Sequence, residues 1–177
     1  MELSQLITLC RYGWAIPILA ALGSGVSPRY HALKFHLKDA SRDAISDSIE
    51  HLIILGLIVR SLGHGHPLRP DFQLTESGDH VAKIAMVIWR NAQICEAQKF
   101  VRLRWGLPLL HILQAPMSFG HIKECLQPIT DRALSLILKQ GQAEHFISRS
   151  VVTTTYPPAT LYAPLSKVSV LYAALVA

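Results

Sequence analysis

The sequence predicts an α+β protein, mainly α with small β-hairpins, in which one module occupies residues 1–90 and a second copy occupies 91–177. Three observations carry this. The chain of 177 residues is 50% apolar and 16% charged, which supports a buried core and excludes disorder as the main state. Apolar residues recur at helical spacing through most of each half, interrupted by a Gly/Pro-rich or Thr/Pro-rich stretch between short strand-like runs. The third observation is an internal repeat, sought first because a missed repeat miscalls the architecture.

Arg11-Tyr-Gly-Trp14-Ala-Ile-Pro17-Ile-Leu19-Ala-Ala-Leu22 aligns with Arg102-Leu-Arg-Trp105-Gly-Leu-Pro108-Leu-Leu110-His-Ile-Leu113. Arg, Trp, Pro and two Leu recur in place. Two residues drop out around Gly23 to Arg29, after which Leu37 meets Leu126, Ala44 meets Ala133 and Ser46 meets Ser135. Ile58-Val-Arg60-Ser61 then meets Ile147-Ser-Arg149-Ser150. Ser77, Val81 and Ala85 meet Ser166, Val170 and Ala174. Chance pairing of Leu- and Ala-rich segments does not supply Trp-x-x-Pro and Ile-x-Arg-Ser in one order with one small gap.

In the first copy, Trp14 to Leu22 is an apolar helical stretch with Pro17 near its start, where proline is tolerated, and Gly23-Ser-Gly25 ends it. Tyr30 to Leu37 is a short helix with one buried side. Ser41 is placed to cap a helix from Arg42 to Leu55, its hydroxyl accepting a free amide of the first turn. That helix buries Ala44/Ile45, Ser48/Ile49 and Leu52/Ile53, and Gly56 ends it in the left-handed conformation. Leu57 to Leu62 and Phe72 to Leu74 form a hairpin around the tip Gly63-His-Gly-His-Pro-Leu-Arg-Pro70. Thr75 or Ser77 caps a long helix, about 76–98, that closes the first copy and links it to the second.

Three helices and a two-stranded hairpin make the winged helix-turn-helix arrangement, with the helix behind Lys38-Asp39-Ala40 as recognition helix and the hairpin tip as wing. The residues resemble those of the HxlR-type winged-helix transcriptional regulators. The resemblance lies in the Trp-initiated helix, in Ser41-Arg-Asp-Ala-Ile-Ser leading to Leu52 and Gly56-Leu-Ile-Val-Arg60, and in Phe72-Gln-Leu-Thr-Glu-Ser-Gly78 after a proline-containing wing. A weaker version recurs in Tyr156-Pro-Pro158 and Leu161-Tyr-Ala-Pro-Leu-Ser166. It implies a cytoplasmic bacterial regulator that binds DNA. Members carry one module per chain and act as homodimers, so two modules in one chain resemble a fused pseudo-dimer. Such a chain would present two recognition helices to a pseudo-palindromic site, ~34 Å apart.

Phosphate contact requires Lys or Arg, and base readout requires Arg, Asn, Gln, Ser or Thr. These requirements select Ser41, Arg42 and Ser46 on the first recognition helix and His64, His66 and Arg69 in its wing. In the second copy they select Thr130, Arg132, Ser135 and Lys139 on Thr130 to Gln140, and Tyr156 in the wing. The exposed face of the first helix also carries Asp43, Asp47, Glu50 and His51, where the resemblance implies basic side chains at 43, 48 and 50. The second copy is therefore expected to carry more of the affinity, even though Gly141 interrupts its helix and His145 replaces the terminal glycine. Arg29, Lys34 and Lys38 flank the first helix-turn-helix, and Arg102, Arg104 and Lys123 the second. Residues 1–90 hold 9 Lys/Arg against 8 Asp/Glu, and 91–177 hold 8 against 4. The net charge of +5 permits a polyanionic partner without requiring one.

Other chemistries find little support. No run reaches the ~18 apolar residues of a membrane helix, and the start lacks the basic region of a signal peptide, so neither membrane insertion nor secretion is expected. Cys10, Cys95 and Cys125 are widely spaced, as in a reduced cytoplasmic protein, and buried inert thiols are the expectation for all three. His64-x-His66 and the His121/Cys125 pair lack the further ligands of a structural zinc site, so no metal or other cofactor is expected. No nucleophile–base pair, phosphate-cradling loop or catalytic carboxylate pair occurs, so the chain is not read as an enzyme. Tyr12, Trp14, Trp89 and Trp105 could line a pocket for a small-molecule effector between modules, although their spacing suits plain core. The apolar ends Leu3 to Cys10 and Val168 to Ala177 offer a route to a homodimer. A rival reading keeps the architecture but makes it a tandem winged-helix module for protein–protein interaction.

Overall fold

The computed structural model describes residues 1–61, 70–153, 158–169 and 171. In chain order the elements are α1 (Leu3–Leu9), α2 (Ala15–Gly23), α3 (Tyr30–His36), α4 (Arg42–Ile54), β1 (Ile58–Ser61), β2 (Asp71–Leu74) and α5 (Glu76–Ile94), followed by α6 (Gln98–Val101), α7 (Gly106–Ile112), β3 (Met117–Ser118), α8 (Phe119–Cys125), α9 (Asp131–Ala143), β4 (Ile147–Val152) and β5 (Ala159–Pro164). A 3₁₀ turn covers Ser166–Val168. The protein is α+β, mainly helical with small antiparallel sheets. It divides into two compact units: a first unit, Leu9–Asn91, and a second, made of Met1–Thr8 with Ala92–Ala177. Among the described residues no helix is long and apolar enough to cross a membrane.

In the first unit α2 is buried from Ala15 to Leu22, as expected of a helix apolar on every side. Leu33 of α3, Ile45, Ile49 and Leu52 of α4, Ile58 of β1 and Phe72 of β2 complete a core of side chains at most 4% exposed. Ser41 caps α4, its hydroxyl accepting the Ala44 amide at 3.1 Å. Ser48 lies on the buried stripe and satisfies its hydroxyl by donating to the Ala44 carbonyl at 2.7 Å. β1 and β2 pair antiparallel from Ile58↔Leu74 to Ser61↔Asp71. Thr75 then turns the chain into α5: its hydroxyl donates to the Gly56 carbonyl at 2.7 Å and accepts the Gly78 amide at 3.0 Å.

The second unit repeats this order and its local bonds. Trp14 and Trp105 stand at the starts of α2 and α7 with nearly the same backbone angles, and each carbonyl accepts an amide four residues on at 3.0 Å. Thr130 caps α9 through the Ala133 amide at 3.2 Å, as Ser41 caps α4. Helices α4 and α9 are each 13 residues long. Leu33, Leu37, Ile45, Ile49 and Ile58 are matched by Ile122, Leu126, Leu134, Leu138 and Ile147, all buried. β4 and β5 pair antiparallel from Ile147↔Pro164 to Val152↔Ala159.

Several boundaries differ from expectation. β1 begins at Ile58 because the Leu57 amide still bonds to the Leu52 carbonyl at 3.0 Å, closing the helix end. The closing helix of the first copy stops at Ile94, short of the expected 98, because Glu96 takes a left-handed φ of 56° and the Ala97 amide folds back to the Ala92 carbonyl. α9 runs to Ala143, past the expected Gln140. The second unit gains a strand the sequence did not announce: β3 pairs with β5 to give the order β3-β5-β4. In the first unit a single bridge, Arg29↔Asp71, stands at the same place.

The two third helices end alike despite different residues. Gly56 has φ 68° and His145 has φ 58°. The bond that follows, Leu57 amide to Leu52 carbonyl, recurs as Phe146 amide to Gly141 carbonyl at 2.8 Å. Replacing the glycine therefore kept the turn at the cost of backbone strain. Gly141, expected to weaken its helix, has a packing role: a Cβ there would come within 2.6 Å of the Ile147 side chain, so its absence lets β4 lie close to α9. At position 56 an added Cβ meets nothing within 4 Å, so only the backbone opposes it. His145→Gly should raise the stability of the protein by about 1 kcal/mol and Gly56→Ala should lower it by a similar amount, both read from urea denaturation midpoints.

Candidate nucleic-acid interface

The face that α4 turns outward is set by its buried stripe of Ile45, Ser48, Ile49 and Leu52. Arg42, Asp43, Ser46, Asp47 and Glu50 are exposed, as is Ser41 at the cap. His51 is not: it is 7% exposed, and its ring lies 4.9 Å from that of Tyr12. The expectation that it sat on the outward face is corrected, because a ring supplied by the segment before α2 covers it. Glu50 accepts a hydrogen bond from Arg60 of β1 at 2.6 Å. Arg60 also lies 5.8 Å from the centre of the Phe72 ring. One acid of the face is thus neutralised by a cation ten residues away on another element, a pairing that linear reading does not reach.

The flanking cations of the first unit are partly engaged. Arg29 pairs with Asp71 at 3.3 Å, which ties the start of α3 to β2. Lys34 donates to the Lys38 carbonyl at 3.3 Å. Lys38 stands 5.4 Å from the centre of the Phe35 ring, itself 71% exposed. The Tyr30 hydroxyl donates to the Arg42 carbonyl at 3.1 Å and pins α3 against the start of α4.

On α9 the same register gives a different surface. Asp131, Arg132, Leu136, Lys139 and Gln140 are exposed, Ser135 is half-buried, and Thr130 holds the cap. Matched residue by residue with α4, Asp43 becomes Arg132, Asp47 becomes Leu136 and Glu50 becomes Lys139. The one acid, Asp131, is paired with Lys123 of α8 at 2.6 Å. Arg104 covers the Trp105 ring at 5.1 Å from its centre. Arg149 of β4 is exposed and extends to the Thr160 hydroxyl at 3.5 Å on β5. Sequence reading singled out neither Arg60 nor Arg149 as a site residue, although the repeated Ile-x-Arg-Ser contained both.

The structure therefore brings Ser41, Arg42 and Ser46 onto one helical face, and Thr130, Arg132 and Lys139 onto another with Ser135 at its edge. His64, His66, Arg69 and Tyr156, the expected wing contacts, lie outside the described residues. Among the described residues no three His, Cys, Asp or Glu side chains are grouped to hold a metal ion. His121 and Cys125 remain a pair on α8. Burial holds the His111 imidazole below its usual pKa, so burial opposes adding a positive charge to α7 there.

Comparison with family models, with curated proteins and with solved structures finds no match to this chain.

The cysteines separate by environment. Burial pushes the Cys10 thiol up to about 12 and raises that of Cys95, whereas Cys125 is partly exposed. A disulfide reagent added to the native protein at pH 8 should label Cys125 first and reach Cys10 and Cys95 only on unfolding. The Cys10 effect also has a sign. Unfolding returns the thiol to its ordinary value near 9, so from there to about 12 only the unfolded chain loses the proton. Stability therefore falls as pH rises through that window. Cys10→Ala should flatten this alkaline decline in denaturation midpoints.

Proposed function

We propose that the protein is a DNA-binding transcriptional regulator built from two tandem winged helix-turn-helix modules of the HxlR type. The observation that carries this reading is the repeated order of three helices and a hairpin, in which the third helix is capped by Ser41 or Thr130 and turns a polar face outward. In this reading α4 and α9 are the recognition helices and the hairpins β1–β2 and β4–β5 are the wings.

The two copies are not equal partners for DNA. A groove lined by phosphates repels uncompensated carboxylates, and α4 offers Arg42 against Asp43, Asp47 and the already paired Glu50. α9 offers Arg132 and Lys139, while its single acid is held by Lys123. The second copy is accordingly the main source of affinity. The first copy positions the chain on the other half of a pseudo-palindromic site with fewer direct contacts. A second reading, docking of a protein partner, is supported in the first copy by Asp43 and Asp47 on α4 and by Ile54, which is 80% exposed at the end of that helix.

The test is a salt titration of binding to promoter-derived duplexes. Phosphate contacts make log affinity fall linearly with log salt, by roughly 0.9 per contact. Arg132→Ala should weaken binding and reduce that slope by about 1, while Arg42→Ala on the first copy should change it less. A wild-type affinity that is independent of salt would rule out the assignment.

A further inference from the structure

The two units place different charges at one pair of matched positions. In the first unit Glu50, on the outward face of α4, and Arg60, on β1, are close enough to bond at 2.6 Å. The matched residues in the second unit are Lys139 on α9 and Arg149 on β4. The framework around each pair is repeated. Both helices end through a left-handed residue and the same backbone bond, and both strands begin with a buried isoleucine two residues before the arginine. Each arginine is paired across its hairpin with an aromatic residue, Arg60 with Phe72 and Arg149 with Tyr162. The matched framework thus carries a cation at each of the two positions in the second unit, where the first unit carries an ion pair.

Two cations brought together repel each other, and among the described residues neither is matched by a carboxylate at bonding distance. Among the described residues no ion pair involves Lys139 or Arg149, and both side chains are exposed. Of the acids nearest in sequence, Asp131 pairs with Lys123, and Glu144 accepts from the neutral Gln140 amide rather than from either cation. Among the described residues the guanidinium of Arg149 reaches the neutral Thr160 hydroxyl. An external anion between the two would relieve the repulsion, and a guanidinium beside an ammonium matches the oxygens of a phosphate.

We propose that Lys139 and Arg149 form a two-cation clamp for one backbone phosphate of duplex DNA. The phosphate gives Arg149 the negative partner that the Glu50 carboxylate gives Arg60 in the first copy. This rests on the DNA-binding reading and deepens it. It adds a strand residue to the contact set, and it makes the contact independent of base sequence. The first copy, whose arginine is already neutralised internally, lacks the clamp.

The experiment uses the full chain and a mixed-sequence duplex of about 20 base pairs, roughly two helical turns, because binding through phosphates alone needs no target site. Lys139→Gln removes one cation and should lower the salt slope by about 1. Lys139→Glu imports the pair already present in the first unit, so the introduced carboxylate also occupies Arg149. It should lower the slope by about 2 and weaken binding about tenfold or more near 0.1 M salt. Thermal denaturation close to wild type checks that each variant folds. If Lys139→Glu loses no more than Lys139→Gln, or leaves the slope unchanged while Arg132→Ala reduces it, the clamp is overturned and the DNA reading stands. If the wild-type chain shows no salt-dependent affinity for duplex DNA, the DNA reading fails and the clamp fails with it.

Discussion

The geometry of each unit depends on one backbone reversal, the left-handed residue that ends the third helix. At Gly56 and at His145 the chain leaves the helix with φ near 60°, and the amide that follows bonds back into the last turn. That bond aims the next residues along a strand whose first side chain, Ile58 or Ile147, returns to the core. Because strand side chains alternate, the residue two further on lies on the same face, higher up the hairpin. This is how Arg60 comes to bond Glu50, and why Arg149 occupies the matching position of β4. The persistence of the turn without glycine in the second copy indicates that the constraint is stronger than the roughly 1 kcal/mol of strain it imposes.

On that common framework the surfaces have diverged in charge while most core positions stay aliphatic, with Leu52 matched by Gly141 and Ser48 by Ile137 as exceptions. Most buried positions keep an aliphatic side chain or exchange one for another, as Leu33 for Ile122 or Ile49 for Leu138. Among the exposed positions of the third helix, three acids give way to two bases and a leucine, while Arg42 is matched by Asp131. Core substitutions of conserved volume cost little, whereas inverting a surface charge changes which partner can approach. The pattern suits two copies that keep one fold and divide one task unequally.

Much of this was legible in the sequence because it is local. Ser41 and Thr130 could be read as caps, since a cap needs only its own next three residues. Gly56 announced its turn, and the repeat exposed the two-unit plan. What was not legible depends on partners distant in the chain. β3 is two residues long and exists because β5 lies beside it. His51 is buried because Tyr12, some forty residues earlier, covers it. The end of the helix at Ile94 carries no glycine signal, because Glu96 takes the left-handed position. Of the candidate site, the residues on one helix face were visible as a spacing. The arginines on β1 and β4 were not, because a helix–strand contact such as Glu50 with Arg60 has no fixed offset in sequence.

The most direct test of the unequal division is amide hydrogen exchange of the intact protein with and without duplex DNA. The account predicts added protection along α9 and β4, with α4 and β1 changed far less. Protection confined to α4 and β1, or none in either unit at DNA concentrations that saturate binding, would contradict it.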